Sequence, residues 1–400
     1  MNKFLAATAA SALMASSAFA GGHSEIKIGV MLGFTGPAES LAGNMAAGAE
    51  TAIAEVSDSG LLLGGSSVTP VRADSTCIDA AAATAAAERL ITSDGVAGIV
   101  GALCSGATGA ALTNVAVPNG TVMISPSATS PGLSHANNED EGLFFRTAPS
   151  DARQGVVMTE ILMEEGIMDV AVTYTNNDYG KGLADSFEAA FTAAGGTVTI
   201  NIPHEDGKAD YSAEVANLAS AGGDRLVVAG YLDQGGPGII RQALDTGAFD
   251  TFHLPDGMIG SATEENFGSE IDGSTGQVPG TDSPGAALMS ELTSATGGDD
   301  LTAPFAPESY DAAALILLAM QAAGSADPAD YKNHVFDVAN APGEEILPGE
   351  LAKGLQILAD GGEINYVGGS AVELIGPGES AGNYRQIEVI DGVLETVAFR

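Results

Sequence analysis

The sequence predicts an α/β protein built from two doubly wound modules in tandem, and three observations carry that expectation. The chain has 400 residues, more than one hydrophobic core usually organises. Short β-rich runs alternate with helical patterns from Ile26 onward. The same alternation starts afresh after Arg146-Thr147-Ala148-Pro149.

In the first series Ile26 to Leu32 reads as a strand, Asn44 to Val56 as a helix and Val68 to Ala73 as a strand. Ile78 to Ile91 is rich in alanine, the strongest helix former, and reads as a helix. Val96 to Val100, a helix opening at Ser105, and Val122 to Ser125 complete the series. This rhythm requires parallel pairing, right-handed crossovers and helices on both faces of the sheet. The second series runs through a helix at Asp151 to Glu165, a strand at Val170 to Tyr174, a helix at Lys181 to Ala194 and a strand at Thr197 to Ile202. A helix near Tyr211 to Ser220, the strand Leu226 to Gly230, a helix over Ile239 to Thr246 and a strand ending before Pro255 follow. Gly273 to Gly285, rich in Gly, Pro, Ser and Thr, marks a crossing between modules. Helical patterns at Ser283 to Thr296, Glu308 to Ala323 and Glu350 to Ala359 come next. Runs of β type at Ala371 to Ile375, Arg385 to Ile390 and Val393 to Phe399 close the chain.

The first residues read as an export leader: Lys3, an apolar run from Phe4 to Ala18, and a small-x-small cleavage site at Ala18-Phe19-Ala20. Residues 1–20 are thus expected to be removed. The run is too short and too rich in Ala and Ser for a membrane span, and no later stretch is long and apolar enough. A soluble, periplasmic, monomeric product without a lipid anchor is expected, because the leader contains no cysteine. The formal charge of −38, from 52 acidic against 14 basic residues, argues against nucleic acid or an anionic membrane as partner. The carboxylates are scattered and form no calcium loop, so the acidity reads as surface solvation. Two cysteines in an exported chain suggest one structural disulfide, Cys77 to Cys104. In the chain-entropy model that loop closure is worth roughly 3 to 4 kcal/mol.

Enzyme and cofactor motifs are missing: there is no nucleophile elbow, phosphate loop or zinc helix. Gly376-Pro377-Gly378-Glu379-Ser380-Ala381 resembles a dinucleotide fingerprint only superficially, lacks a following helix and reads as a turn. The five histidines are dispersed. No catalytic residue, metal or cofactor is therefore expected.

Open parallel sheets bind ligands beyond the carboxyl ends of their strands. There, Ser105 stands where a helix begins, and a helix N-terminus with a hydroxyl receives carboxylates. Taken alone it is an N-cap. The neighbouring loop Ser125-Pro126-Ser127-Ala128-Thr129-Ser130-Pro131 concentrates hydroxyls between prolines, and the two loops can converge on one anion.

Ile26-Lys27-Ile28-Gly29, Thr35-Gly36-Pro37, Cys104-Ser105 and Ser125-Pro126-Ser127-Ala128-Thr129 resemble the leucine/isoleucine/valine-binding proteins that serve ABC transporters. So do Phe145-Arg146-Thr147, Tyr179-Gly180-Lys181-Gly182-Leu183-Ala184 and Pro255-Asp256-Gly257, in the same order over nearly the whole chain after the leader. The resemblance implies a type I periplasmic binding fold, a Venus flytrap with three crossover strands as hinge. The expected lobes are residues 24–146 with 278–366, and 147–277 with 367–400. It also implies a ligand carboxylate held by Ser105, by the backbone around Ser127 and Ala128, and by Thr129. The ammonium falls to Tyr179, Tyr231 and Asp256, and the cysteines match the family's disulfide positions. Without the resemblance, Tyr179 reads as a helix cap, Tyr231 as strand-end packing and Asp256 as a turn residue. Leu41 departs from the aromatic ring that family members often carry near the ligand side chain, and Phe305 supplies another part of that wall. The implied function is capture of a small amino acid, branched-chain or otherwise apolar, for a membrane permease. A receptor for amides, urea or small organic acids is the alternative, and an enzyme on the same frame a distant third.

Overall fold

A computed structural model describes residues 25–134, 140–296 and 298–400; the leader read over residues 1–20 lies outside the described residues. The first series forms β1 (Glu25–Leu32), β2 (Ser67–Asp74), β3 (Gly98–Gly101), β4 (Met123–Ser125) and β5 (Phe144–Pro149). The second forms β6 (Asp169–Thr175), β7 (Thr197–His204), β8 (Arg225–Ala229), β9 (Phe252–Leu254) and β10 (Thr275–Pro279). Beyond them come a small pair, β11 (Glu344–Ile346) and β12 (Ile364–Tyr366), then β13 (Leu374–Ile375), β14 (Glu379–Ser380), β15 (Tyr384–Ile390) and β16 (Val393–Phe399).

Two seven-stranded sheets result, ordered β13-β14-β5-β4-β3-β1-β2 and β16-β15-β10-β9-β8-β6-β7. Each has the same parallel core, in which the chain first pairs outward and then reverses past its starting strand. That reversal opens a crevice at the carboxyl ends of the strands. The chain passes between sheets after β5, after β10 and after β14, so three crossings join two α/β lobes.

The helix Ala306–Ala323 is buried on nearly every side, packed against the helix Glu39–Ser59 and the first sheet. Its apolar residues surround it rather than forming one stripe, the pattern of a central core helix. Among the described residues no single helix is long and apolar enough to cross a membrane. The disulfide Cys77–Cys104 is formed, with Cα atoms 5.0 Å apart, and ties the loop after β2 to the start of the helix Ser105–Ala111.

Three segments differ from the sequence reading. Phe144 to Pro149, read as a junction, is a strand with every residue buried, so it lacks the alternation that marks a half-exposed strand. The Gly- and Pro-rich stretch from Gly273 contains β10, equally buried. The third crossing was placed after Tyr366, yet β13 and β14 both join the first sheet, which keeps the chain there through Ser380. The Gly376–Ala381 run is a turn that also supplies the two-residue β14.

Candidate functional site

Strand ends of both sheets converge on one cavity of about 20 Å³. From the first lobe it is lined by Leu41, Leu103, Cys104, Ser105, Ser127 and Phe305; from the second by Tyr179, Tyr231, Asp256 and Gly257. Seven of the nine residues singled out above therefore meet. Ala128 and Thr129 are buried beside the cavity and do not line it. Ala38, Leu103 and Gly257 line it without having been singled out.

On the first lobe, Ser105 opens a helix, and its Oγ accepts a hydrogen bond from the Ser130 N–H at 3.1 Å. Its own proton is left to donate. The Ser127 hydroxyl donates to the Leu103 carbonyl at 2.8 Å, and the N–H groups of Ser127 and Ala128 donate to the Ser125 Oγ at 3.4 and 2.9 Å, which fixes the turn of this loop at the cavity. What holds the loop is Arg146, 1% exposed, whose guanidinium donates to the carbonyls of Ala128 (3.1 Å) and Ser130 (2.9 Å) and pairs with Glu379 at 2.5 Å. Leu41 and Phe305 form the apolar wall. Phe305 holds a left-handed backbone conformation, φ 63°, which is uncommon for a residue with a side chain and ends the loop before the central helix.

On the second lobe, Asp256 is fully buried, and its Oδ1 accepts from the Tyr179 hydroxyl at 2.6 Å and the Gly257 N–H at 2.8 Å. Gly257 must be glycine on contact grounds: a Cβ there would lie 2.5 Å from the Gly230 carbonyl and 2.7 Å from the Tyr179 hydroxyl. The rings of Tyr179 and Tyr231 stack, centroids 5.1 Å apart. Burial pushes the Asp256 carboxyl above its ordinary value, with the Tyr179 hydroxyl working against the shift.

Behind Asp256 lies a group the sequence reading passed over. Asp151, at the first turn of the helix Asp151–Glu164, is also fully buried. Its Oδ1 accepts from the Gln154 amide at 2.7 Å, while Gln154 Oε1 accepts from the Asp256 N–H at 3.2 Å and the Gln277 amide at 2.9 Å. Burial first, and then the charge of Asp256, raise the Asp151 carboxyl well above its usual range. In sequence Ser150-Asp151 looks like ordinary helix capping, and no local signal separates it from that.

The lobes are closed. Asp233 of the second lobe accepts from the Ser40 N–H at 2.9 Å, and its own N–H donates to the Pro37 carbonyl at 3.1 Å. The helix Glu39–Ser59 has Ala38 at its N-cap and no side-chain cap from its own lobe, so Asp233 caps it across the cleft. On another side of the cleft, a Cβ on Gly182 would come within 2.9 Å of Pro131.

Among the described residues no imidazole lines this cavity: His204 and His253 are buried elsewhere, pushed down to about 4 and about 3 by burial. Among the described residues no group of three or more His, Cys, Asp or Glu side chains is arranged to hold a metal ion. The cavity thus sets the Ser105 hydroxyl on one wall opposite the Asp256 carboxyl on the other.

A family model described as periplasmic binding protein matches residues 25–338. The Leu/Ile/Val-binding protein BraC3 of Rhizobium johnstonii is 29% identical over 339 residues, 81% of this chain and 86% of that protein. A chemotactic substrate-binding protein, BasB of Halobacterium salinarum, is 28% identical over 74% of this chain and 71% of its own. Among solved structures, the leucine-binding protein LivK of Thermotoga maritima superposes with a TM-score of 0.79 at 23% identity, over 94% of this chain and 98% of that one. A benzoate-bound solute-binding protein of R. palustris gives 0.74 at 19% identity, over 94% of this chain and 96% of that one. With the match spanning both lobes and the strand ends that meet at Asp256, this chain belongs to the periplasmic binding protein family.

Proposed function

We propose that this protein captures an α-amino acid with an apolar side chain in the periplasm and delivers it to the permease of an ABC importer, without chemical turnover. One observation carries the reading. The buried Asp256 carboxylate faces Ser105 and the Ser127 loop across a space otherwise bounded by Leu41, Phe305 and two tyrosines. A zwitterion taken out of water needs an acceptor at its ammonium and donors at its carboxylate, because a buried charge without a partner is heavily penalised. The carboxylate of such a ligand meets the Ser105 hydroxyl and the loop backbone; its ammonium meets Asp256 and the tyrosine faces.

Relatives named for leucine, isoleucine and valine binding support the apolar side chain. The buried Asp256 carboxylate opposes a ligand that is purely anionic, and the neighbour holding benzoate shares the fold alone. A bound ligand favours the closed lobes only through contacts it makes better there than in the open form.

A thermal-shift screen of the chain from Gly21 onward tests this, since a ligand raises the melting temperature by mass action. Apolar L-amino acids should give the largest shifts. Shifts with amides or simple carboxylates, and none with amino acids, would overturn the proposal.

A further inference from the structure

Six of the eight arginines, Arg72, Arg89, Arg146, Arg225, Arg241 and Arg400, each hold a carboxylate; Arg153 and Arg385 do not. Arg385, at the start of β15 in the second lobe, is half-buried, and its guanidinium makes no hydrogen bond or ion pair among the described residues. It lines a cavity of about 220 Å³ beside the crossing after β10, none of whose lining residues lines the cavity at Asp256. Facing the same cavity from the first lobe is Glu308, 1% exposed, whose Oε2 makes no hydrogen bond. Glu308 and Asp300 attract Arg385 electrostatically, but the guanidinium is left without a hydrogen bond, which is costly for a desolvated group, as it is for the buried Glu308 oxygen.

We propose that this hinge cavity is a second ligand site, taking a short-chain monocarboxylate whose carboxylate lies between Arg385 and Glu308. The guanidinium supplies parallel N–H donors that match a carboxylate. Burial pushes Glu308 up to about 7, so below neutrality it is an acid whose O–H donates to the same anion. The other carboxylates near these two groups do not fill the place. Asp311 is occupied by the Tyr366 and Ser370 hydroxyls and the Gly369 N–H, and Asp300 by Thr302. Met289, Pro307 and Phe399 line one part of it, beside Thr281, Thr302, Ser370 and Thr396, and that apolar part favours a hydrocarbon tail over a hydrated inorganic anion. Because Glu308 and Arg385 belong to different lobes, a ligand held by both would bias lobe closure from the hinge side.

Calorimetric titration of butyrate at pH 6 and fixed ionic strength tests the site, in the chain from Gly21 onward and in its Asp256→Ala variant, where the amino-acid cleft is disabled. One saturable site is expected in both, weakened about tenfold or more by Arg385→Gln. Chloride and inorganic phosphate should bind at least about tenfold more weakly than butyrate. Equal uptake by Arg385→Gln, loss of the site in Asp256→Ala, inorganic anions binding as tightly, or no saturable heat would each overturn the proposal. Crystals of the unmutated chain soaked with 4-bromobutyrate decide the matter without a variant. An anomalous peak in the hinge cavity upholds it, and a bromine found only elsewhere sinks it.

Discussion

On the first lobe the cleft wall is made of hydroxyls and loop backbone, and the ion pair that steadies it, Arg146 with Glu379, stays off the cavity lining. On the second lobe the wall is the Asp256 carboxyl, held by the Tyr179 hydroxyl and the Gly257 N–H beside two stacked tyrosines, with the Asp151 carboxyl buried behind it. The first wall therefore carries its charge where it organises backbone; the second carries its charge where a ligand arrives. A wall of neutral donors costs little to close over, whereas a wall holding Asp256 stays strained by desolvation until a cation comes. On the proposed reading, the difference gives the cleft a direction, with the ammonium at the Asp256 end.

The largest effect should come from removing the support of the first wall. Arg146→Ala takes away four hydrogen bonds, to Ala128, Ser130, Ser134 and Glu379, and leaves Glu379 without its partner. A loss of about 3 to 5 kcal/mol in stability is expected from breaking a buried pair, measured by urea denaturation. A loss below about 1 kcal/mol would mean that the loop is held by its prolines instead.

Asp256→Ala strikes the second wall. Amino-acid affinity should fall by roughly 2 to 5 kcal/mol, read by calorimetry, as when one partner of a desolvated charge pair is truncated. The ligand-free protein should gain stability near neutral pH. Asp256 has its carboxyl raised on folding, so its ionisation opposes the fold as pH climbs from the ordinary carboxylate value of about 3.9 to the raised one. Binding runs the other way: the ammonium needs the ionised form, so affinity should drop as pH falls through that raised value. Affinity that is flat across acid pH would remove Asp256 from the ammonium's side.

Asp233→Ala touches neither wall, only the contact between lobes. Loss of the cap on the helix Glu39–Ser59 should weaken binding by about 1 kcal/mol, roughly fivefold, while leaving the ligand preference unchanged. A changed preference would show that Asp233 reads the ligand rather than the closure.

The fold was legible where structure is local. Strands such as Ile26 to Leu32 and helices such as Asp151 to Glu165 announce themselves by periodicity, and the observed elements begin or end within a few residues of those expectations. Strands buried on both faces, such as Phe144–Pro149, have no alternation to read, and the short Glu379–Ser380 pairing exists only because β5 lies beside it. Of the site, the loops at Ser105 and Ser127 could be suspected from chemistry, while Tyr179, Tyr231 and Asp256 needed the family resemblance. Asp151, Arg146 and Asp233 were missed as participants because each acts on a residue far away in the chain, and none carries a local mark of doing so.

Taken alone, the amino acids decided that two α/β units form, that a disulfide closes between Cys77 and Cys104, and that the surface is strongly acidic. Those properties follow from short-range periodicity, composition and pairing by elimination. Which carboxylate faces which hydroxyl, and that an arginine and a glutamate meet at the hinge without other partners, was settled only by tertiary packing. Burial and distance between remote residues set the energy of a charge, and neither is a property of neighbouring letters.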